Sequence, residues 1–102
     1  MGSEDVGPCE YVMEVAGTRH VLQSALSDLH VGDVVSIEPD PSNAMESDAL
    51  AVLHRGHRIG YVNRALKGMF HRWLKSGRMT ATIERQNGKP NRPLVFVRVS
   101  LS

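Results

Sequence analysis

Residues 32–66 read GDVVSIEPDPSNAMESDALAVLHRGHRIGYVNRAL. Three short apolar runs stand inside this stretch, DVVSIEP (33–39), ALAVLH (49–54) and RIGYVN (58–63), each bounded by turn residues, which is the signature of strands. Arg55-Gly56-His57 separates the second run from the third, so these two form a hairpin. The elbow before the second run is of a different kind. Pro39 and Pro41 fix φ and forbid helix, while Asn43 and Asp48 are suited to satisfying nearby backbone amides. Ala49 then opens a strand at a point where bulk would not fit. The elbow reads as a self-bonded turn that sets the register of the next strand, and for its carboxylate Glu46 a binding role stands beside that reading.

Working outward, EYVMEVAG (10–17) places Tyr11, Met13 and Val15 on one face of an upstream strand. Downstream, MTATIERQ (79–86) and LVFVRVSL (94–101) read as two more strands around a loop, NGKPNRP (87–93). In the last strand Val95, Val97, Val99 and Leu101 share a face, leaving Phe96 and Arg98 on the other. One segment has the helical period instead: Leu66, Met69, Phe70, Trp73 and Leu74 recur at i, i+3, i+4, i+7 and i+8. With Asn63 as N-cap and Gly77 as stop, the spacing predicts a helix over Arg64–Ser76 that buries Trp73 beneath it. The opposite side carries Lys67, His71 and Lys75, either as a solvated face or as a phosphate-facing stripe. Six strands with one helix between the fourth and fifth lack the crossover helices of a parallel sheet. The fold expected is mostly β, a small antiparallel barrel plugged at one end by the helix.

At 102 residues the chain has room for one core, and 41% hydrophobic with 23% charged residues is the composition of a folded globule. The domain is expected over residues 11–102, after a flexible segment 1–10. No run approaches the ~18 apolar residues of a membrane span and no basic-then-apolar leader opens the chain. The expectation is a monomeric intracellular protein with no membrane association, cytoplasmic in a bacterium or nuclear in a eukaryote. Cys9 is the only cysteine, which excludes an intramolecular disulfide and suits a reducing compartment. Net charge is +1, yet ten of eleven acids lie in residues 1–51 and eleven of twelve Lys/Arg in residues 52–102. Such segregation points either to a polyanion partner or to halves that pair their charges on folding.

Catalytic chemistry has little footing. The five histidines lack Cys/His or His-Glu-x-x-His spacing, so they read as surface residues with no metal, and no Walker-type glycine loop is present. No cofactor is expected, and the chain reads as a binding module; any ATPase or nuclease activity would belong to a partner.

The stretch 32–66 resembles the HIRAN domain family, whose pattern runs Gly-Asp/Glu, an apolar strand, Glu-Pro, an Asn, Tyr-Asp, Asn-Ala-Ile-x-Val, a Gly, then Ile-Gly-Tyr-Leu/Val-Pro-Arg. The similarity extends upstream to VAGTRHVLQ (15–23) and downstream to LKSGRMTATI (74–83). The resemblance implies a six-stranded OB-like barrel that binds single-stranded DNA at a 3′ end, in DNA repair or replication-fork processing, alongside a helicase-like ATPase or nuclease. Bases are sandwiched by aromatics in the family, a carboxylate accepts from the 3′-hydroxyl, and basic groups hold the adjacent phosphate. Carried onto this chain, those roles fall on Arg19 and His20 after the first strand, Met45 and Glu46 in the elbow, and Asn63 or Arg64 after Ile59-Gly60-Tyr61; Lys67 of the helix's basic stripe joins them as a candidate nucleic-acid contact. Met45 stands where the family has a tyrosine and Asp48 where it has an asparagine. A module that has exchanged DNA binding for protein binding is the alternative that these departures suggest.

Overall fold

A computed structural model describes residues 9–21, 23–89 and 91–101. The first strand, β1 (Cys9–Glu14), begins two residues before the expected domain boundary, and residues 1–8 lie outside the described part. A 3₁₀ turn (Thr18–His20) and a five-residue helix, α1 (Gln23–Ser27), follow; sequence periodicity did not reveal either, since both are too short to establish a period. Then come β2 (Val34–Pro39), β3 (Leu50–His54), β4 (His57–Tyr61), a 3₁₀ turn (Arg64–Leu66), α2 (Lys67–Ser76), β5 (Met79–Lys89) and β6 (Arg92–Leu101).

All six strands pair antiparallel in the order β1-β6-β5-β2-β3-β4, and the main helix lies between β4 and β5. Curling of this sheet brings its two ends together at one antiparallel bridge, where Ala16 and Tyr61 exchange backbone bonds of 2.8 and 2.9 Å. That seam depends on Gly60. A Cβ at this position would lie 2.4 Å from both the Ala16 carbonyl oxygen and Val15 Cγ1, so only glycine lets the segment after β1 pass so close. The register of β3 against β4 shifts beside it, leaving Ile59 as the extra residue of a bulge, the usual device for bending a sheet toward closure.

The hairpin joining β3 to β4 turns on Arg55 and Gly56, with φ of 53° and 83°, the positive pair that a two-residue type I′ loop requires. The core gathers Met13 from β1 and Val15 just after it, Val95, Val97 and Val99 from β6, Leu50 and Val52 from β3, and Phe70 from α2. Phe70, not Trp73, is the helix residue at the centre: Phe70 is fully buried, while Trp73 is only partly covered and leans on it with ring centroids 5.4 Å apart. Leu66, Met69, Trp73 and Leu74 are all partly buried around it, and the bulkier indole is left at the rim, as large rings often are.

Two further expectations are corrected. Residues 87–93 are not an open loop: the hairpin runs on to Lys89 and resumes at Arg92, with Pro93 opposite Gly88. Pro93 fits because its carbonyl accepts from Thr18 Oγ1 at 3.0 Å, so its missing N–H faces the same outer side and costs no ladder bond. His54 is not a surface residue either. It is buried at the end of β3, and its Nε2 lies 2.9 Å from Asp33 Oδ2, which satisfies it and ties β3 to the loop before β2. Hydrogen bonding from His54 is the main reason the Asp33 carboxyl sits below its ordinary pKa. No helix among the described residues is long and apolar enough to cross a membrane.

Candidate functional site

The elbow between β2 and β3 is shaped from within. Asn43 Oδ1 accepts from the backbone N–H groups of Met45 at 2.8 Å and Glu46 at 3.0 Å, an Asx-type turn that pushes Met45 outward and Glu46 toward α2. Met45 is 88% exposed. Asp40 anchors the start of the elbow: its Oδ2 accepts from the Tyr61 hydroxyl at 2.8 Å, which in turn accepts from Arg58 Nη1 at 2.8 Å. Tyr61 thus stands at the barrel's end, with its backbone closing the seam and its hydroxyl holding the elbow. Bonds from Ser42 and then Tyr61 keep the Asp40 carboxyl below its ordinary pKa.

Glu46 faces two cations from beyond β4. Lys67 Nζ donates to Oε1 at 2.7 Å and Arg64 Nε to Oε2 at 2.9 Å. Lys67 also donates to Asp48 Oδ1 at 2.7 Å, and the His71 ring nitrogen Nε2 sits 2.8 Å from the Asp48 backbone carbonyl. Asn63 stands just before this cluster and caps the helical segment, its Oδ1 accepting from Ala65 N at 2.8 Å. Lys67 holds the carboxyls of Glu46 and Asp48 below their ordinary values, and those two, Asp48 first, raise Lys67 in return. Lys67 and His71 thus dock α2 onto the elbow, while Lys75 of the same stripe is exposed. Asp48 serves that clasp with its carboxylate. Acids of the first half and bases of the second meet here, as they also do between Asp28 and Arg55 and between Glu10 and Arg98.

Arg19 and His20 are placed elsewhere, in the 3₁₀ turn after β1. They line a hollow of about 520 Å³ together with Glu14, Thr18, Asn91, Arg92 and Leu94. Arg19 Nε points at His20 Nε2 across 3.4 Å. Among the described residues neither Arg19 nor Arg92 takes part in an ion pair, and Glu14 is the one acid in the lining, so the hollow has a cationic bias. The hollow and the elbow clasp share no lining residue; of the two seam residues, Ala16 lines the hollow and Tyr61 bonds the start of the elbow at Asp40. Sequence reading missed Arg92 because it lay in the supposed loop; its signal was an arginine next to proline in a segment without acids. Among the described residues no group of three His, Cys, Asp or Glu side chains is arranged to hold a metal.

The described residues thus form a small curled antiparallel sheet with α2 docked on its elbow and a cationic hollow beside the seam. The chain belongs to the HIRAN domain family, whose model matches residues 9–102. This is a family of DNA-binding domains. Two solved structures share the fold. The HIRAN domain of human HLTF superposes with a TM-score of 0.69 at 16% identity, covering 89% of this chain and 73% of that one. A protein from Lactobacillus plantarum gives 0.67 at 18% identity, covering 94% of this chain and 100% of that one. No curated protein matches the sequence.

Proposed function

We propose that the chain is a nucleic-acid-binding module that takes up single-stranded DNA at its 3′ end, in DNA repair or replication-fork processing beside a helicase-like ATPase or nuclease. The observation that carries this reading is the hollow at the barrel seam, where Arg19 and Arg92 lie outside any described ion pair with His20 between the strand ends. Two guanidinium groups facing a hollow with a single carboxylate have the chemistry of a phosphate seat. The terminal nucleotide would then rest across the seam on the elbow. Met45 offers it an apolar contact, and Glu46 accepts from the 3′-hydroxyl. Although both Glu46 oxygens already take cations, each retains a second lone pair. Arg64, 80% exposed at its side chain, would hold the next phosphate, with Lys67 and Asn63 behind it.

A second reading, a protein-binding adaptor, is favoured by one feature: Arg64 and Lys67 are already neutralised by Glu46 and Asp48. The two readings separate in a salt titration of binding to labelled single strands with free and 3′-phosphorylated ends. Two to three neutralised phosphates give log K falling with log salt at a slope of about −1.5 to −2. Weaker binding of the phosphorylated end supports Glu46 as an end reader, because a like charge then faces it. A slope near zero, or no binding, leaves the adaptor.

A further inference from the structure

β5 and β6 do not stop where the sheet stops. β5 pairs with β2 only at Ala81 and Thr82, and β6 pairs with β1 no further toward its start than Phe96, apart from the Val95 carbonyl. Beyond that point, from Asn87↔Leu94 to Lys89↔Arg92, the two strands pair only with each other, and Arg85↔Phe96 stands at the base of this extension. They form a ribbon that contributes to an elongated molecule of 49 × 30 × 22 Å. All five residues from Arg85 to Lys89 are exposed.

The charge of this ribbon has one sign. From Arg85 to Val97 the chain carries Arg85, Lys89 and Arg92 and no acid. Glu84, the only acid after Asp48, is set aside at the base by a shift in register, and its carboxylate accepts from Arg98 Nε at 2.8 Å. Alternation puts Arg85, Asn87 and Lys89 on one face, beside Phe96, Leu94 and Arg92 opposite them. Arg85 is fixed there by stacking, its guanidinium carbon 4.1 Å from the Phe96 ring centre, which orients a planar donor without neutralising it. Arg92 belongs both to this face and to the hollow, so the two cationic surfaces are continuous. From Arg92 to Arg85 the face runs roughly 13 Å, about four steps of a nucleic-acid duplex.

We propose that this ribbon is a second nucleic-acid contact, which engages the backbone of a duplex adjoining the single-stranded end. A two-stranded ribbon is an element that the major groove of B-DNA admits, and Gln86, Asn87 and Asn91 near its tip supply amides that can bond phosphates or base edges. The placement of the tail rests on the single-strand reading above; the ribbon's affinity for duplex does not.

The test uses three probes at a fixed salt near 0.1 M: a single strand, the same strand as a 3′ tail on a duplex, and a blunt duplex. Wild type should hold the tailed duplex about tenfold or more tighter than the free strand, since two added duplex phosphates steepen the salt slope by about 1.8. The R85Q/K89Q variant should lose that advantage and keep the free-strand affinity. Lys89→Gln alone, at an exposed site that leaves the Phe96 stack intact, should lose part of it, so a folding defect of the double variant cannot imitate the result. Equal wild-type affinity for tailed duplex and free strand overturns the proposal, as does a variant that weakens both probes alike. If wild type ignores the free strand but binds blunt duplex, and R85Q/K89Q abolishes this, the ribbon stands and the single-strand reading falls.

Discussion

Replacing Gly60 by alanine should open the barrel at its seam. The new Cβ would stand 2.4 Å from the Ala16 oxygen and from Val15 Cγ1, and the first of these is backbone with no flexible end to swing away. Separating the strands by the required fraction of an ångström strains or breaks the two Ala16–Tyr61 bonds, at a net ~0.5–1.5 kcal/mol each. Gly60 also holds φ at 155°, a backbone conformation that side chains rarely adopt, which adds about 1–3 kcal/mol. The sum is about 2–6 kcal/mol against a total stability of ~5–15 for a domain of this kind. Gly56→Ala is the matched control. Its φ of 83° is equally unsuited to alanine, but nothing lies within 4 Å of the added carbon, so only the local cost of ~1–2 kcal/mol applies. Thermal unfolding followed by circular dichroism should place Gly60→Ala at least about 10 °C below wild type and clearly below Gly56→Ala. If the two variants melt together, the close crossing at Gly60 is not what closes the sheet.

Met45→Tyr, at an exposed site where the ring meets no packing obstacle, should tighten binding to a free 3′ end by about 1 kcal/mol, and less for a 3′-phosphorylated strand, as measured by fluorescence anisotropy. Unchanged affinity for both ends would mean that the elbow does not meet a base. The carboxyls of Asp33, Asp40, Glu46, Asp48 and Glu84 all sit below ordinary values of 3.8 or 4.5. Groups depressed in the folded state contribute stability above their unfolded pKa and lose it as pH falls through the folded one. Denaturant midpoints should therefore change little on these carboxyls' account from pH 7 to 5 and drop below about pH 4; Lys67→Met should lower the midpoint at neutral pH and shrink that drop, because Glu46 and Asp48 lose the main partner that depresses them. Phe70→Ala should cost about 3–5 kcal/mol by urea unfolding and Trp73→Ala less, since the phenyl ring alone is fully enclosed.

The strands were legible because alternation and turn chemistry agree. Arg55-Gly56 allowed one hairpin geometry, and the valines of β6 could share only one buried face. The helix was legible from its apolar stripe, but that stripe could not say which ring reaches the centre, because depth depends on the tilt of α2 over the sheet. Residues 87–93 read as a loop because Gly88, Pro90 and Pro93 are locally turn-forming, and only the Thr18 contact shows why Pro93 belongs in a strand. Glu46 and Arg64 could be named as site candidates from the resemblance to the HIRAN family, and Lys67 from the basic stripe of the helix. Their mutual neutralisation could not, because it depends on how closely α2 lies against residues 46–48.

The pairing of Cys9 with Leu101 makes the first strand the neighbour of the last. On the ribosome, β1 therefore emerges long before its partner exists, and Met13 and Val15 have no finished core to enter until β6 has been made. Ordering about ninety residues of intervening chain before that contact forms is the condition under which folding slows, since loop closure is lost before pairing compensates. The hairpin at Arg55-Gly56 needs no such wait and can form within microseconds. Assembly should thus begin in the middle of the sequence and spread to both ends, with the β1–β6 ladder as the last and rate-limiting addition.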